Sequence, residues 1–189
     1  MTAQTDATLT AEIARTLENP HTILSAFQHV GAVPAIGFTL AACCAMVELE
    51  SGGRMVWGHD PWDEVAYPRG LALPADLDGQ PVNGVNYHAY RAARNAGRQP
   101  QGCGITQLTS AGLQVEAERA GGCWEPFYNC LIGFRFLRDL FVHHGSPAAG
   151  FTAYNGSGPA AVAYGQRAAA LQADWQSRFN VAVGGGHHV

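Results

Sequence analysis

The stretch from Ile36 to Glu50, IGFTLAACCAMVELE, limits the fold more than any other part of this 189-residue chain. It is apolar nearly all round. As a helix it has no face to give to water, so other elements must enclose it. A central helix is therefore expected here, with Gly52 and Gly53 as its stop, because glycine takes the left-handed conformation that closes a helix. The apolar run from Val33 to Val47 is shorter than the roughly 20 residues a bilayer requires, and it holds Pro34 and Gly37. It reads as a buried helix, and no membrane partner is expected. A chain of this size buries about 70% of its unfolded surface, which is enough to enclose such a helix without metal or disulfide.

Proline and glycine punctuate the elements around it. Thr10 caps a short helix over AEIARTLEN, and Pro20 opens another that ends at Gly31. Further helices are expected over Ser110–Ala120, Pro126–His143, Pro147–Asn155 and from Pro159 to about Phe179. Between Trp57 and Gln101 the composition shifts to Pro, Gly, Asp and Asn, and apolar periodicity weakens. This is a long loop-rich insertion. It holds one helix, VNYHAYRAARNAG, capped by Asn83 and stopped by Gly97, and has room for a small β element. The fold class expected is mainly α. Residues 1–35 read as a helical extension packed on the domain, 36–180 as the domain itself, and 181–189 as a tail or linker.

Charge and cysteine content exclude several classes. The net charge is −4, and the eleven basic residues are all arginine with no clustering. Nucleic acid is therefore not expected as a partner. The N-terminus lacks a basic region followed by an apolar core and a small-residue cleavage site, so no signal peptide is read. Five cysteines cannot all pair within one chain. Cys43 and Cys44 fall in the apolar helix and read as small core residues. Cys123 and Cys130 are too far apart for a zinc ribbon pair. No metal and no cofactor are expected, and a disulfide among Cys103, Cys123 and Cys130 stays open.

Glu50 stands out chemically. It ends an apolar helix just before Ser51-Gly52-Gly53. Burial and the negative end of the helix dipole both raise a carboxyl pKa. Glu48 lies about 200° round the helix from it, which suits a structural role better. Three motifs then follow in chain order: ELESGG at 48–53, GCGITQLT at 102–109 and AYNGSG at 153–158.

Together these motifs resemble those of the goose-type lysozyme and lytic transglycosylase superfamily. There a Glu-Ser pair follows a core helix, a Gly-x-x-Gln segment lines the cleft, and Ala-Tyr-Asn lies on a later helix. The chain is more closely similar to the glycosidase domains of endolysins from phages of actinobacteria. The similarity rests on RMVWGHD, Asn86-Tyr87 with Tyr90, Gln107-Leu108-Thr109, Gly121-Gly122-Cys123-Trp124 and Tyr154 to Gly158. It spans roughly Ile36 to Trp175 and departs from the family pattern at Cys103, Ile105 and Thr106.

The resemblance implies a lysozyme-like fold and cleavage of the MurNAc–GlcNAc β-1,4 bond of peptidoglycan. It implies Glu50 as general acid, with Asp60 or Asp63 positioning an attacking water. If neither aspartate reaches the sugar, the substrate's own hydroxyl attacks and leaves an anhydro product, as in a lytic transglycosylase. Ser51, His59, Gln107, Thr109, Tyr154 and Asn155 would hold substrate. Trp57, Trp62, Tyr87 and Tyr90 would either stack on sugars or pin the insertion to the domain. The partner implied is the glycan strand, met by a monomer made in the host cytoplasm and released to the cell wall. A non-catalytic wall-binding or virion module is the alternative. A Cys–His peptidase using Cys103 with His88 or His143 ranks last.

Overall fold

A computed structural model describes residues 2–60 and 77–184. The fold is mainly α, with eight α-helices among the described residues. No helix among those residues is long and apolar enough to cross a membrane. Trp62 and Asp63, to which roles were assigned from the sequence, lie outside the described residues.

Helix α1 spans Ala3–Ala14, not the segment after Thr10. Thr2 caps it by accepting from the Thr5 N–H at 3.3 Å. Asp6 lies in the first turn, where the dipole favours an acid. Thr10 is an interior, buried position. The polar start of the chain hid this first turn, because it carries no apolar periodicity. Helix α2, Pro20–Val30, begins at proline and ends at Gly31, as the sequence suggests.

The central helix α3 covers Leu40–Glu50 and starts later than Ile36. A 3-10 turn over Pro34–Ile36 ends on Gly37, which has φ +77°. The Phe38 N–H then turns back to the Val33 carbonyl at 3.2 Å. From Leu40 to Val47 every residue of α3 is buried. Its jacket consists of α1, α2, part of α6 (Pro126–His144), α7 (Pro147–Asn155) and α8 (Pro159–Gly184). Ile13, Ile23, Phe27, Phe134, Phe141, Phe151 and Trp175 fill the space between them. Burying each large apolar side chain is worth roughly 1.5–3 kcal/mol. The first two helices thus share the main core. Helix α8 extends through Gly184, so residues 181–184, expected in a tail, are helical.

A second, smaller core holds the insertion in place. Helix α4, Gly84–Asn95, starts with a reciprocal cap in which the Asn83 and Asn86 side chains each bond the other's backbone N–H. Tyr87 and Tyr90 of α4 pack with Trp57, Leu108, Cys123 and Ile132 beside α5, Ala111–Ala120. The β element is two isolated antiparallel bridges, Val56 with Pro81 and Trp57 with Cys103. Helix α6 separates the two cores: Phe134 and Leu137 face the larger and Ile132 the smaller. The segment 102–109 also straddles them, with Ile105 in the first and Cys103 and Leu108 in the second.

Candidate active site

Glu50 sits where α3 emerges between these cores. The helix stops because Gly52 and Gly53 take φ values of +65° and +84°. The Ser51 and Gly52 N–H groups both return to the Val47 carbonyl, at 3.1 and 2.9 Å. A Cβ on Gly53 would collide with the Glu18 backbone. That close approach lets Glu18 N–H donate to the Gly52 carbonyl at 3.0 Å and the Asn19 side chain to the Gly53 carbonyl at 2.9 Å. The turn before α2 is thus fastened to the end of the helix that carries Glu50.

Burial pushes the Glu50 carboxyl up to about 7. The Tyr164 hydroxyl of α8 donates to Glu50 Oε1 at 2.5 Å and opposes that rise. The nearby Asp60 charge adds to it. Glu48 leaves the same helix in another direction and accepts from Trp175 Nε1 at 2.8 Å. It is a structural acid.

Glu50 opens on a cavity of about 330 Å³. Asp60, Gln107, Thr109, Tyr154 and Asn155 line it, with Leu108, Leu113 and Phe136 as apolar wall. Five separate chain segments therefore meet there. Asp60 Oδ2 accepts from the Gly102 N–H at 2.5 Å. Gly58 N–H donates to the Gly102 carbonyl at 2.8 Å, which pairs the two glycines beside Asp60 and Gln107. A Cβ on Gly102 would lie 2.6 Å from Gln107 Oε1 and 3.0 Å from Asp60 Oδ2, so glycine keeps that space open.

Gln107 adopts the left-handed region, φ +47°, an uncommon choice for a non-glycine residue. Its Nε2 donates to the Val56 and Gly104 carbonyls at 3.0 and 2.7 Å. Both amide protons are engaged by main chain, so Oε1 remains as an acceptor, placed beside Gly58 and Gly102. A group that bonds Gln107 through Oε1 must donate to it, as a sugar hydroxyl, an amide N–H or a water can. Tyr154 donates its hydroxyl to the Thr106 carbonyl at 2.6 Å and rests its ring 5.5 Å from Phe136. Thr109 and Asn155 are exposed at the rim.

Four expected substrate contacts belong elsewhere. Ser51 is buried: its Oγ donates to the Ile105 carbonyl at 2.7 Å and accepts from the Gly53 N–H at 3.1 Å. It ties motif to motif and is not among the residues that line the Glu50 cavity. Tyr87 and Tyr90 are fully buried, with hydroxyls donating to Glu118 Oε1 at 2.7 Å and Gln114 Oε1 at 2.9 Å. Both pin the insertion, as does Trp57, whose ring stacks on Tyr87. The apolar second core outcompeted sugar stacking for these rings. His59 is exposed outside the cavity lining, its Nδ1 3.5 Å from Asp78 Oδ2.

The sequence reading missed Asn129 and Tyr164. Asn129 of α6 is fully buried. Its Oδ1 accepts from the Thr106 N–H at 2.9 Å and its Nδ2 donates to the Cys103 carbonyl at 2.9 Å, so it fixes the second motif. An amide inside PFYNCLIGF was the available signal, because a buried polar group needs partners. Tyr164 had a fainter one, an aromatic between the small residues Ala161, Gly165 and Ala168 of α8.

All five cysteines are free and buried, and Cys103 Sγ lies 3.7 Å from Cys123 Sγ. Burial raises the Cys103 thiol well above its ordinary value. His88 packs on Trp124, with ring centroids 4.7 Å apart. Among the described residues no histidine bonds Cys103, and a Cys–His nucleophile has no support. No group of three His, Cys, Asp or Glu residues suited to a metal occurs among the described residues.

Compared with family models, curated proteins and solved structures, the chain finds no match.

Proposed function

We propose that this chain cleaves the glycan strand of peptidoglycan at the MurNAc–GlcNAc β-1,4 bond, with Glu50 as general acid. The observation that carries the reading is a carboxyl held at about 7 in a cavity where residues of all three motifs converge. Glycosidic cleavage needs a carboxylic acid still protonated at neutral pH, to give its proton to the leaving oxygen. Near pH 6 Glu50 would be mostly protonated. The neutral acceptors and hydroxyls around it suit an uncharged sugar better than an ionic ligand.

Hydrolysis is favoured over the anhydro-forming reaction because Asp60 shares the cavity. The Gly102 N–H holds one Asp60 oxygen, which leaves the other to orient a water. A wall-binding module without turnover would gain nothing from a carboxyl kept half-protonated beside a second one. In the biological setting the motif resemblance suggests, the enzyme would serve host cell lysis by a phage, made in the cytoplasm and released to the wall.

The test is digestion of purified peptidoglycan by the parent and by Glu50→Gln, with the products weighed. Reducing-end muropeptides carrying an added water are expected from the parent. Loss of one general acid typically removes about 10²–10⁴-fold of rate, so Glu50→Gln should release almost none. Products lighter by one water would assign the transglycosylase reaction. Equal release by both proteins would refute the role of Glu50. No release by either would leave the binding-module reading.

A further inference from the structure

The apolar wall of the Glu50 cavity has a second side. Leu113 of α5 and Phe136 of α6 also border a second groove, of about 450 Å³. The two residues form a waist between the compartments. Beyond it the chemistry changes: the groove adds Glu116 from α5 and Arg135, Arg138 and Asp139 from α6. The first compartment meets its ligand with amide, hydroxyl and aromatic groups and two acids. The second presents two guanidiniums and two carboxylates.

These charges are not equally available. Arg138 donates twice to Asp139 Oδ1, at 3.0 and 2.8 Å, and the two satisfy each other. Arg135 and Glu116 form no ion pair among the described residues, and both are exposed. An unpaired arginine on an open surface is ordinary. Here it borders a groove that shares Leu113 and Phe136 with the catalytic cavity, and α5 lines that same groove with Glu116. A bare sugar strand would have no use for either charge, and covering them would cost hydration without return. A ligand suited to this groove carries a carboxylate and an ammonium at once.

The glycan strand bears such a ligand. Each muramic acid carries a short peptide on its lactyl ether, with free carboxylates and, where its dibasic residue is not cross-linked, a free amine. We infer that the groove past Leu113 and Phe136 seats this peptide stem, with Arg135 pairing with a stem carboxylate and Glu116 with the stem amine. A guanidinium fork takes a carboxylate bidentately, which fixes direction as well as charge. The inference rests on the glycan-strand reading and adds to it a requirement for the decorated strand.

The experiment compares Arg135→Ala and Arg135→Lys with the parent on two substrates. One is peptidoglycan with its stems intact, the other the same glycan stripped of stems by an amidase. Arg135→Ala should lower kcat/KM on the decorated strand by roughly tenfold and leave the stripped strand unaffected. Arg135→Lys should recover part of the loss, and Glu116→Gln should act on the decorated strand alone. Loss on both strands alike, or on neither, would overturn the inference while leaving the cleavage activity standing. If the parent cleaves neither strand, the proposed function falls. The inference is then decided by titrating a disaccharide-peptide and its peptide-free disaccharide into the Glu50→Gln protein. Tighter binding of the peptide-bearing form, abolished by adding Arg135→Ala, would support it. Equal binding of the two would reject it.

Discussion

The effect of Glu50→Gln on stability should shift in the variant's favour as pH is raised, and the size of that shift follows from the burial of the carboxyl. The folded value, about 7, lies above the ordinary 4.5 of the unfolded chain. Below about pH 4.5 both states are protonated and the residue makes no difference. Between 4.5 and 7 the unfolded chain releases its proton while the folded one keeps it, so stability declines with pH. Above 7 the decline is complete. At 1.36 kcal/mol per pH unit it amounts to about 3 kcal/mol. Glutamine has no proton to release, and its Oε1 can still accept from Tyr164. The variant should therefore match or fall below the parent near pH 4 and gain steadily on it to pH 8. In a chain of this length 1 kcal/mol moves Tm by about 2–4 °C, so the gap should widen by roughly 6–12 °C. Thermal unfolding by circular dichroism at pH 4, 6 and 8 reads it directly, since other titrations cancel in the difference. Parallel profiles for the two proteins would mean that Glu50 titrates as an exposed carboxyl, and the argument for it as a neutral-pH acid would collapse.

Tyr164→Phe removes a hydrogen bond that lowers the Glu50 pKa, so the alkaline limb of the pH–rate profile should move upward while the maximum rate falls; a downward shift would contradict the assigned geometry. Ser51→Ala leaves the Ile105 carbonyl and Gly53 N–H without their buried partner, which costs about 1–3 kcal/mol, measurable by urea denaturation. Gly165→Ala places a methyl against Thr152 and the Ala148 carbonyl where α7 crosses α8, and should destabilise by about 1–3 kcal/mol in the same assay. Denatured protein titrated with a thiol reagent should take up five equivalents; three would mean that Cys103 and Cys123 had joined.

Helices were readable wherever proline opened them and glycine closed them, as in α2, α6 and α7. Their limits were lost where that punctuation was missing. Thr2 caps α1 ahead of a polar turn with no periodicity, and Gly37 delays α3 inside a run that looked continuous. The cavity was legible in Glu50, Asp60, Gln107, Thr109, Tyr154 and Asn155, which the motifs named and the fold brings together. The tyrosines were not. A ring on a loop-borne helix can face sugar or a second core with the same local sequence, and only the contacts of Tyr87 and Tyr90 with Trp57 and Cys123 decide which. Ser51 shows the same limit: its neighbour in the motif faces the cavity, while its own hydroxyl turns to Ile105.

The fastening of Glu18 and Asn19 to Gly52 and Gly53 reaches beyond packing. A fragment trimmed to residues 36–180, where the motifs lie, would keep every residue that lines the cavity and lose the brace that holds its acid in place. Substitutions at Asn19 would then behave as activity defects in a segment that carries no signature of activity, and a search guided by motifs alone would pass them by.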